Sequence, residues 1–131
     1  MEILPPKKIK IVDIKGKGRG VVATEDIAKG EIIETCPILF ISDKEAELIE
    51  NQHDIIEHYY MLLTAFNKHC IMFGYGSLYN HSKEPNADID YNLQTPQNYL
   101  IVESIKDIKA GEEIVYDYEF DGGKEEFLKI D

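Results

Sequence analysis

The stretch LYNHSKEPNADI, residues 78–89, decides the fold of this 131-residue chain. It places the hydrogen-bonding side chains of Asn80, His81, Ser82 and Asn86 around a single proline. A Gly-Tyr-Gly turn precedes it, and a run that alternates like a β-strand follows it. An isolated Asn-His pair is more often a hydrogen-bonded structural element than a catalyst or a ligand, so the role of this loop depends on the rest of the chain.

The composition indicates one acidic globular domain. The chain is 44% hydrophobic and 30% charged, with a formal net charge of −11. This length supports one domain with a core and is too short for two. A negative surface repels phosphate backbones and anionic membranes and attracts Lys-rich peptides. We therefore expect no direct nucleic-acid or membrane partner. The acidity fits a basic peptide ligand and fits a role in solubility alone equally well.

The residues that could hold a transition metal are few. Cys36 and Cys70 are the two cysteines, and neither they nor the four histidines have a CxxC or paired-His spacing. We expect no metal site and no disulfide framework, which suits a reducing compartment. No segment approaches the roughly 20 apolar residues of a membrane span, and the first residues lack the apolar core of a signal peptide. We expect a soluble, intracellular protein.

Short strands joined by tight turns make up most of the predicted structure. β-branched and alternating residues predict strands at residues 7–14, 21–24, 38–42, 70–73, 87–92, 99–104 and 113–120. Turn signals lie between them at Gly30, Gly74, Gly76, Pro96 and Gly111.

A helical pattern interrupts the strands after residue 42. Ser42 with Glu45 three residues later forms a capping-box pattern. Apolar residues from Leu48 to Phe66 then recur at mostly helical spacings. The pattern predicts one or two helices between residues 43 and 67.

The glycine-rich segment GKGRG, residues 16–20, allows two interpretations. The next residues, VVATEDI, are strand-like where a nucleotide-binding loop requires a helix N-terminus, which argues against such a loop. One interpretation is a hairpin whose glycines adopt positive φ. The other is a loop whose bare backbone lets an anionic group, a phosphate or a carboxylate, approach its amides beside Lys17 and Arg19.

The segment AGEEIVYDY, residues 110–118, carries a tyrosine pair. Tyr116 and Tyr118 lie two apart, so on a strand they face the same side and Asp117 faces the other. Taken alone, the pair indicates an aromatic stripe that fills the core.

These motifs, in this order, resemble the SET domain of protein lysine methyltransferases, above all the compact stand-alone viral and bacterial members. The resemblance runs from about Lys7 to Tyr118 and is carried by the Asn-His-Ser loop with its trailing Pro-Asn and by Gly-Glu-Glu-Ile with Asp-Tyr. It implies an α+β, β-clip fold with a pseudoknot-like crossing of the C-terminal strand. The expected single domain, 1–131, comprises N-terminal strands (7–41), a helical insert (42–69), a C-terminal core (70–118) and a tail closing the site (119–131).

The resemblance also implies an activity. A SET methyltransferase transfers the methyl group of S-adenosylmethionine to the lysine amine of a histone or another protein, and S-adenosylhomocysteine leaves. Tyr118 matches the catalytic tyrosine, whose hydroxyl points at the reacting methyl and amine groups. Tyr116 matches a position that lines the pocket around the lysine amine.

The implied cofactor site draws on three segments. The matching residues are Lys17, Gly18, Arg19 and Gly20 in the first loop, the Asn80 side chain, the His81 backbone, Tyr118, and Phe120 or Phe127 from the tail to cover the adenine. Ser82 and Asn86 are expected to tie the crossing. No metal is implied, because the cysteine clusters that flank many SET domains are missing from the sequence.

Two further expectations follow from the resemblance. Some compact SET proteins complete their site through a second copy, so a homodimer is one expected state. The alternative function is a SET-fold module that binds a peptide or partner without turnover. Loss of the glycine loop or of Tyr118 would favour that alternative, and both are present.

Overall fold

The structure is a computed structural model that describes residues 5–52, 60–63, 68–94 and 97–118. The described strands are β1 (Ile9–Ile14), β2 (Gly18–Ala23), β3 (Ile32–Ile41), β4 (Tyr60–Leu63), β5 (Lys68–Met72), β6 (Asn80–His81), β7 (Ala87–Gln94), β8 (Gln97–Ser104) and β9 (Glu113–Tyr116). A helix, α1 (Asp43–Gln52), follows β3, and a short 3-10 helix (Gly76–Leu78) precedes β6. The predicted α+β architecture of short strands is confirmed.

The glycine-rich segment forms the turn of a hairpin. β1 and β2 pair antiparallel, with Ile14 opposite Gly18 at the tip. Gly16 and Gly18 have φ angles of 83° and 78°, which only glycine adopts without strain. The hairpin interpretation is therefore confirmed, and no side chain of the described residues covers the loop backbone at either glycine.

The second sheet has five strands in the order β4-β5-β3-β8-β7. β3 is its central strand and contains a β-bulge between Ile32 and Glu34. Because of the bulge, the adjacent residues Ile33 and Glu34 are both buried, at 8% and 4% exposure, although strand alternation would place them on opposite faces.

The last strand is an internal strand of the first sheet, which has four strands in the order β1-β2-β9-β6. β9 lies between β2 and β6, antiparallel to β2 and parallel to β6. The Asn86 side chain binds it at two points, because its amide donates to Glu113 O (2.8 Å) and its oxygen accepts from Val115 N (2.9 Å). Ser82 contributes through its main-chain N–H, which donates to Tyr116 O at 3.1 Å. The expected crossing is confirmed.

The predicted helix is confirmed for α1 and wrong for the residues beyond it that the structure describes. The capping box forms, since Ser42 Oγ accepts from Glu45 N (3.1 Å) and Glu45 Oε1 accepts from Ser42 N (3.0 Å). Residues 60–63, expected to be helical, instead form β4, which pairs antiparallel with β5. A short continuous apolar run has no period that separates strand from helix, and here the edge of β5 supplies the missing hydrogen bonds.

One hydrophobic cluster joins the two sheets. It includes the fully buried residues Val21 of β2, Cys36 of β3, Leu100 and Val102 of β8, and Ile114 of β9. Burial of such side chains is the main stabilising contribution to a domain of this size. The cluster packs β9, with the rest of the first sheet, against the second sheet and so fixes the residues at the two ends of β9. Among the described residues, no helix is long and apolar enough to cross a membrane.

Candidate functional site

The start of β9 lies beside the hairpin tip and β6. Glu113 Oε1 binds Lys17 Nζ at 3.0 Å, and Glu113 Oε2 accepts from Asn80 Nδ2 at 2.6 Å. The same Asn80 amide also donates to Arg19 O at 3.2 Å. We call Lys17, Gly20, Asn80 and Glu113 the hairpin cluster. One carboxylate thus connects three segments that are far apart in sequence.

The two glycines of this cluster's loop have opposite surroundings. A Cβ at Gly20 would lie 2.7 Å from Asn80 Nδ2 and 2.8 Å from Glu113 Oε2, so only glycine fits between β1 and these polar groups. A Cβ at Gly18 would meet no atom of the described residues within 4 Å. In that part of the chain, therefore, nothing blocks the approach of a ligand to the Gly18 backbone.

The end of β9 leads into a second group of polar aromatic residues. The N–H of Tyr118 donates to His81 Nδ1 at 3.0 Å, and the rings of Tyr118 and His81 lie 5.0 Å apart. The Tyr118 hydroxyl donates to the carbonyl oxygen of Tyr79 at 2.7 Å. These two hydrogen bonds fix both the backbone and the phenol of Tyr118.

Two buried tyrosines, Tyr116 and Tyr79, contact Tyr118. The ring of Tyr116 lies 5.3 Å from that of Tyr118 and 6.0 Å, in an edge-on arrangement, from that of Tyr79. Tyr116 is 3% exposed, and its burial raises its pKa well above the usual value. We call Tyr79, Tyr116 and Tyr118 the tyrosine cluster. Its buried members stay protonated and act as neutral hydrogen-bonding groups.

A buried glutamate lies behind the tyrosine cluster. Glu34 Oε1 accepts from the Tyr79 hydroxyl at 2.6 Å, and Glu34 Oε2 accepts from Tyr75 N at 2.9 Å. Burial, and next the Glu34 carboxylate, raise the pKa of Tyr79 well above its usual value. Burial likewise raises the pKa of the Cys36 thiol. A thiol in this state is inert, so Cys36 is a packing residue here.

The structure brings most of the expected site residues together around β9. Lys17, Gly20 and Asn80 lie at its start, and His81, Tyr116 and Tyr118 lie at its end. Gly18 is at the open hairpin tip, and Arg19 contributes a carbonyl oxygen to Asn80. Phe120, Phe127 and the tail lie outside the described residues. The expected strand at 113–120 ends at Tyr116, yet the ring of Tyr118 still lies 5.3 Å from the ring of Tyr116.

Three residues that the sequence did not single out hold this arrangement. Glu113 is part of the Gly-Glu-Glu-Ile motif, which signals its importance without its partners. Tyr79 directly precedes Asn80, but an aromatic residue there predicts only core packing. Glu34 gives no local signal at all, because a strand glutamate normally points to solvent. In the part of the chain that the structure describes, no group of His, Cys, Asp and Glu has the arrangement of a metal site.

Comparison with known proteins gives these features a family. The SET domain family matches residues 18–119. A histone-lysine N-methyltransferase of Schizosaccharomyces pombe, specific for H3 lysine 37, is 31% identical over 84% of this chain and 72% of its own length. The N-lysine methyltransferase KMT5A-A of Xenopus laevis is 32% identical over 84% of this chain, which spans 36% of that protein.

Solved structures agree with this assignment. PFL0690c of Plasmodium falciparum, a candidate histone methyltransferase, superposes with a TM-score of 0.67 at 32% identity, covering 86% of this chain and 93% of its own. The Neurospora SET domain protein DIM-5, a histone lysine methyltransferase, superposes with a TM-score of 0.65 at 23% identity, over 84% of this chain and 51% of its own, which shows the fold alone. The chain belongs to the SET domain family of protein lysine methyltransferases.

Proposed function

We propose that the protein uses S-adenosylmethionine to methylate the side-chain amine of a lysine in a histone or another basic protein. The observation that carries this proposal is the position of the Tyr118 hydroxyl. It is fixed at the end of β9, while the start of the same strand binds the hairpin loop and Asn80. A phenol for the reacting groups and a loop for the cofactor are thus held by one strand.

The hairpin cluster suits the methionine end of the cofactor, which carries both an ammonium and a carboxylate. Lys17 supplies a positive charge, and the open backbone at Gly18 supplies room for a carboxylate. Glu113 and the carbonyl of Arg19 are acceptors that suit an ammonium. The Asn80 amide donates to both acceptors, so Asn80 orients the two groups that we propose bind the cofactor ammonium.

The tyrosine cluster suits the reaction. Bound S-adenosylmethionine supplies an electrophilic methyl group on a sulfonium. The Tyr118 hydroxyl donates its proton to Tyr79 O, and a phenol oxygen is also an acceptor, which suits a hydrogen bond from a lysine amine. Such a contact aligns the amine without removing its proton. Deprotonation of the lysine is favoured instead by its transfer from water into a partly buried site.

The acidic charge of the chain fits a basic substrate. With a formal charge of −11, the protein attracts Lys-rich segments and raises the rate at which they encounter its surface. This long-range attraction acts on any basic protein, so it supports histone tails and other Lys-rich segments alike. It also predicts that methylation slows as salt screens the charges.

Labelled S-adenosylmethionine with purified core histones, and separately with a cell-lysate proteome, tests the proposed function. We expect label on specific lysines, identified by mass spectrometry, and none with Tyr118→Phe in the same time. Calorimetry with a chelator present should show that S-adenosylmethionine binds without metal. Binding of a histone peptide with no label transfer to any protein would contradict the proposal and support the non-catalytic binding module.

A further inference from the structure

Glu34 connects both ends of the turn that precedes the Asn-His-Ser segment. Its carboxylate accepts from the N–H of Tyr75 and from the hydroxyl of Tyr79. These two residues flank the 3-10 helix Gly76–Leu78 on either side. Glu34 is only 4% exposed. Burying a carboxyl group is costly unless hydrogen bonds compensate, so this placement calls for a role in the structure or in the site.

The local backbone is shaped to accept this carboxylate. Gly74 has a φ of 71°, and a Cβ built on it would overlap Glu34 Oε2. The bulge in β3 turns Glu34 inward next to the buried Ile33. The β-bulge and the positive φ of Gly74 thus both accommodate the Glu34 side chain. Neither irregularity is part of the hairpin cluster.

The contacts continue from Glu34 to the hydroxyl of Tyr118. Glu34 fixes the phenol of Tyr79, and the carbonyl oxygen of the same tyrosine accepts from Tyr118 Oη at 2.7 Å. Tyr79 lies between the 3-10 helix and the two-residue strand β6, so few main-chain ladder bonds hold it. Its buried side chain is therefore the main constraint on where its carbonyl points.

We propose that Glu34 is a positioning residue for methyl transfer, which acts through Tyr79 to fix the direction of the Tyr118 hydroxyl. The inference rests on the proposed function of Tyr118. Glu34 itself contacts no reacting group. Misplacement of a reacting contact by about 1 Å lowers a rate by up to about a hundredfold, so a loosened Tyr79 carbonyl should lower kcat while the cofactor site stays intact.

The test is a double-mutant cycle on the full chain. Tyr79→Phe removes the hydroxyl that Glu34 binds and keeps the ring and the carbonyl. We expect kcat for a histone-derived peptide, taken from the mapped methylation site, to fall about ten- to a hundredfold, with the Kd for S-adenosylmethionine unchanged. In a Tyr118→Phe background, Tyr79→Phe should have little further effect, because the group that it positions is already gone.

Two further variants separate positioning from general destabilisation. Tyr99→Phe is the matched control, since it removes another buried phenol hydroxyl, which lies on β8 and accepts from Asn92 Nδ2 of β7 at 2.6 Å. It should leave kcat at the wild-type value. Glu34→Gln keeps an acceptor for Tyr79 but turns an NH₂ toward Tyr75 N–H, so its kcat should be intermediate. If Tyr79→Phe does not fold, Glu34→Gln enters the cycle in its place.

A measurement without turnover completes the test. In protein labelled with ¹³C at the tyrosine Cζ atoms, the Tyr118 signal is the one lost in Tyr118→Phe. It should shift in Tyr79→Phe and Glu34→Gln and stay in place in Tyr99→Phe. Equal losses of kcat in both backgrounds, or an unmoved Tyr118 signal, would overturn the inference. Absence of any methyl transfer by the wild type would instead overturn the proposed function.

Discussion

The two ends of β9 contact two differently built halves of the site. At its start, Glu113 meets the hairpin cluster, where the Lys17 and Glu113 side chains are 47% and 20% exposed. At its end, Tyr116 enters the tyrosine cluster, where Tyr116 and Tyr79 are 3% and 1% exposed. The first half consists of partly exposed charged groups and the glycine backbone of the hairpin tip. Buried neutral phenols make up the second.

This difference separates binding from positioning. A partly exposed ion pair such as Lys17–Glu113 contributes about 0–1 kcal/mol, so its members can exchange partners with a ligand at little cost. A buried hydrogen bond that loses one partner costs about 1–3 kcal/mol, so the tyrosine cluster keeps one arrangement. Substitutions in the hairpin cluster should therefore change affinity, and those in the tyrosine cluster should change turnover.

Tyr118→Phe is the strongest test of this separation. It removes the hydroxyl that we propose contacts the reacting groups, and loss of such a contact costs about 2.7–4 kcal/mol, or about 100- to 1000-fold in kcat. The Kd for S-adenosylmethionine should stay at the wild-type value, because the hairpin cluster is untouched. Steady-state kinetics and calorimetry on the same preparation measure both. A wild-type rate in the variant would remove Tyr118 from the reaction.

Asn86→Ala tests whether β9 joins the two halves. The substitution leaves the carbonyl of Glu113 and the N–H of Val115 without the side-chain partner that each has now. We expect the free energy of unfolding in urea to fall by about 2–3 kcal/mol, with both affinity and turnover reduced in what remains folded. Asn92→Ala removes a half-buried amide that donates to a side chain, the Tyr99 hydroxyl, and is the control that should cost less. Equal losses in the two variants would contradict a special role for the crossing.

Asn80→Ala should affect the binding half alone. Its amide connects Glu113 and the carbonyl of Arg19, the two acceptors assigned to the cofactor ammonium. We expect the Kd for S-adenosylmethionine to rise about tenfold, which corresponds to about 1.4 kcal/mol, and kcat at saturating cofactor to change little. Lys17→Met should weaken binding less, because Lys17 is the more exposed group. A large fall in kcat with unchanged affinity would show that Asn80 acts with the tyrosine cluster and not with the hairpin cluster.

Much of this fold was predictable because its decisive signals are local. The capping box at Ser42, the positive-φ glycines at the hairpin tip and the alternation of β7 each depend on near neighbours in sequence. β4 was not predictable in the same way. Its apolar run suits a helix and a strand equally, and only pairing with β5 decides between them.

In the candidate site, too, residues with local sequence signals were predictable and residues that depend on distant segments were not. Asn80, His81, Tyr116 and Tyr118 belong to motifs that the sequence displays, and the structure places them together. Glu34 was missed because its burial depends on a bulge in β3 and on Gly74, which lies far along the chain. Sequence patterns report what a residue type usually does, whereas an inward-facing glutamate is a property of three distant segments meeting.

Tyr116→Phe gives the finest distinction, within the tyrosine cluster itself. Tyr116 is buried against Tyr118 and Tyr79, so its hydroxyl does not face solvent. Burial raises its pKa, so the hydroxyl that we propose lines the pocket of the lysine amine is neutral. It can hydrogen-bond the amine directly or through an ordered water, which restrains rotation and occupies the space that a methylated amine needs.

We therefore expect the wild type to stop mainly at mono- or dimethyl-lysine and Tyr116→Phe to shift products toward higher methylation states. Tyr118 should remain necessary in the variant, because the proposed role of Tyr116 is to limit space and that of Tyr118 is to align the reacting amine. Mass spectrometry of a peptide product at saturating S-adenosylmethionine measures the distribution, and Tyr99→Phe again serves as the control that loses a buried hydroxyl elsewhere. Ready trimethylation by the wild type, or an unchanged distribution in Tyr116→Phe, would show that Tyr116 only fills the core.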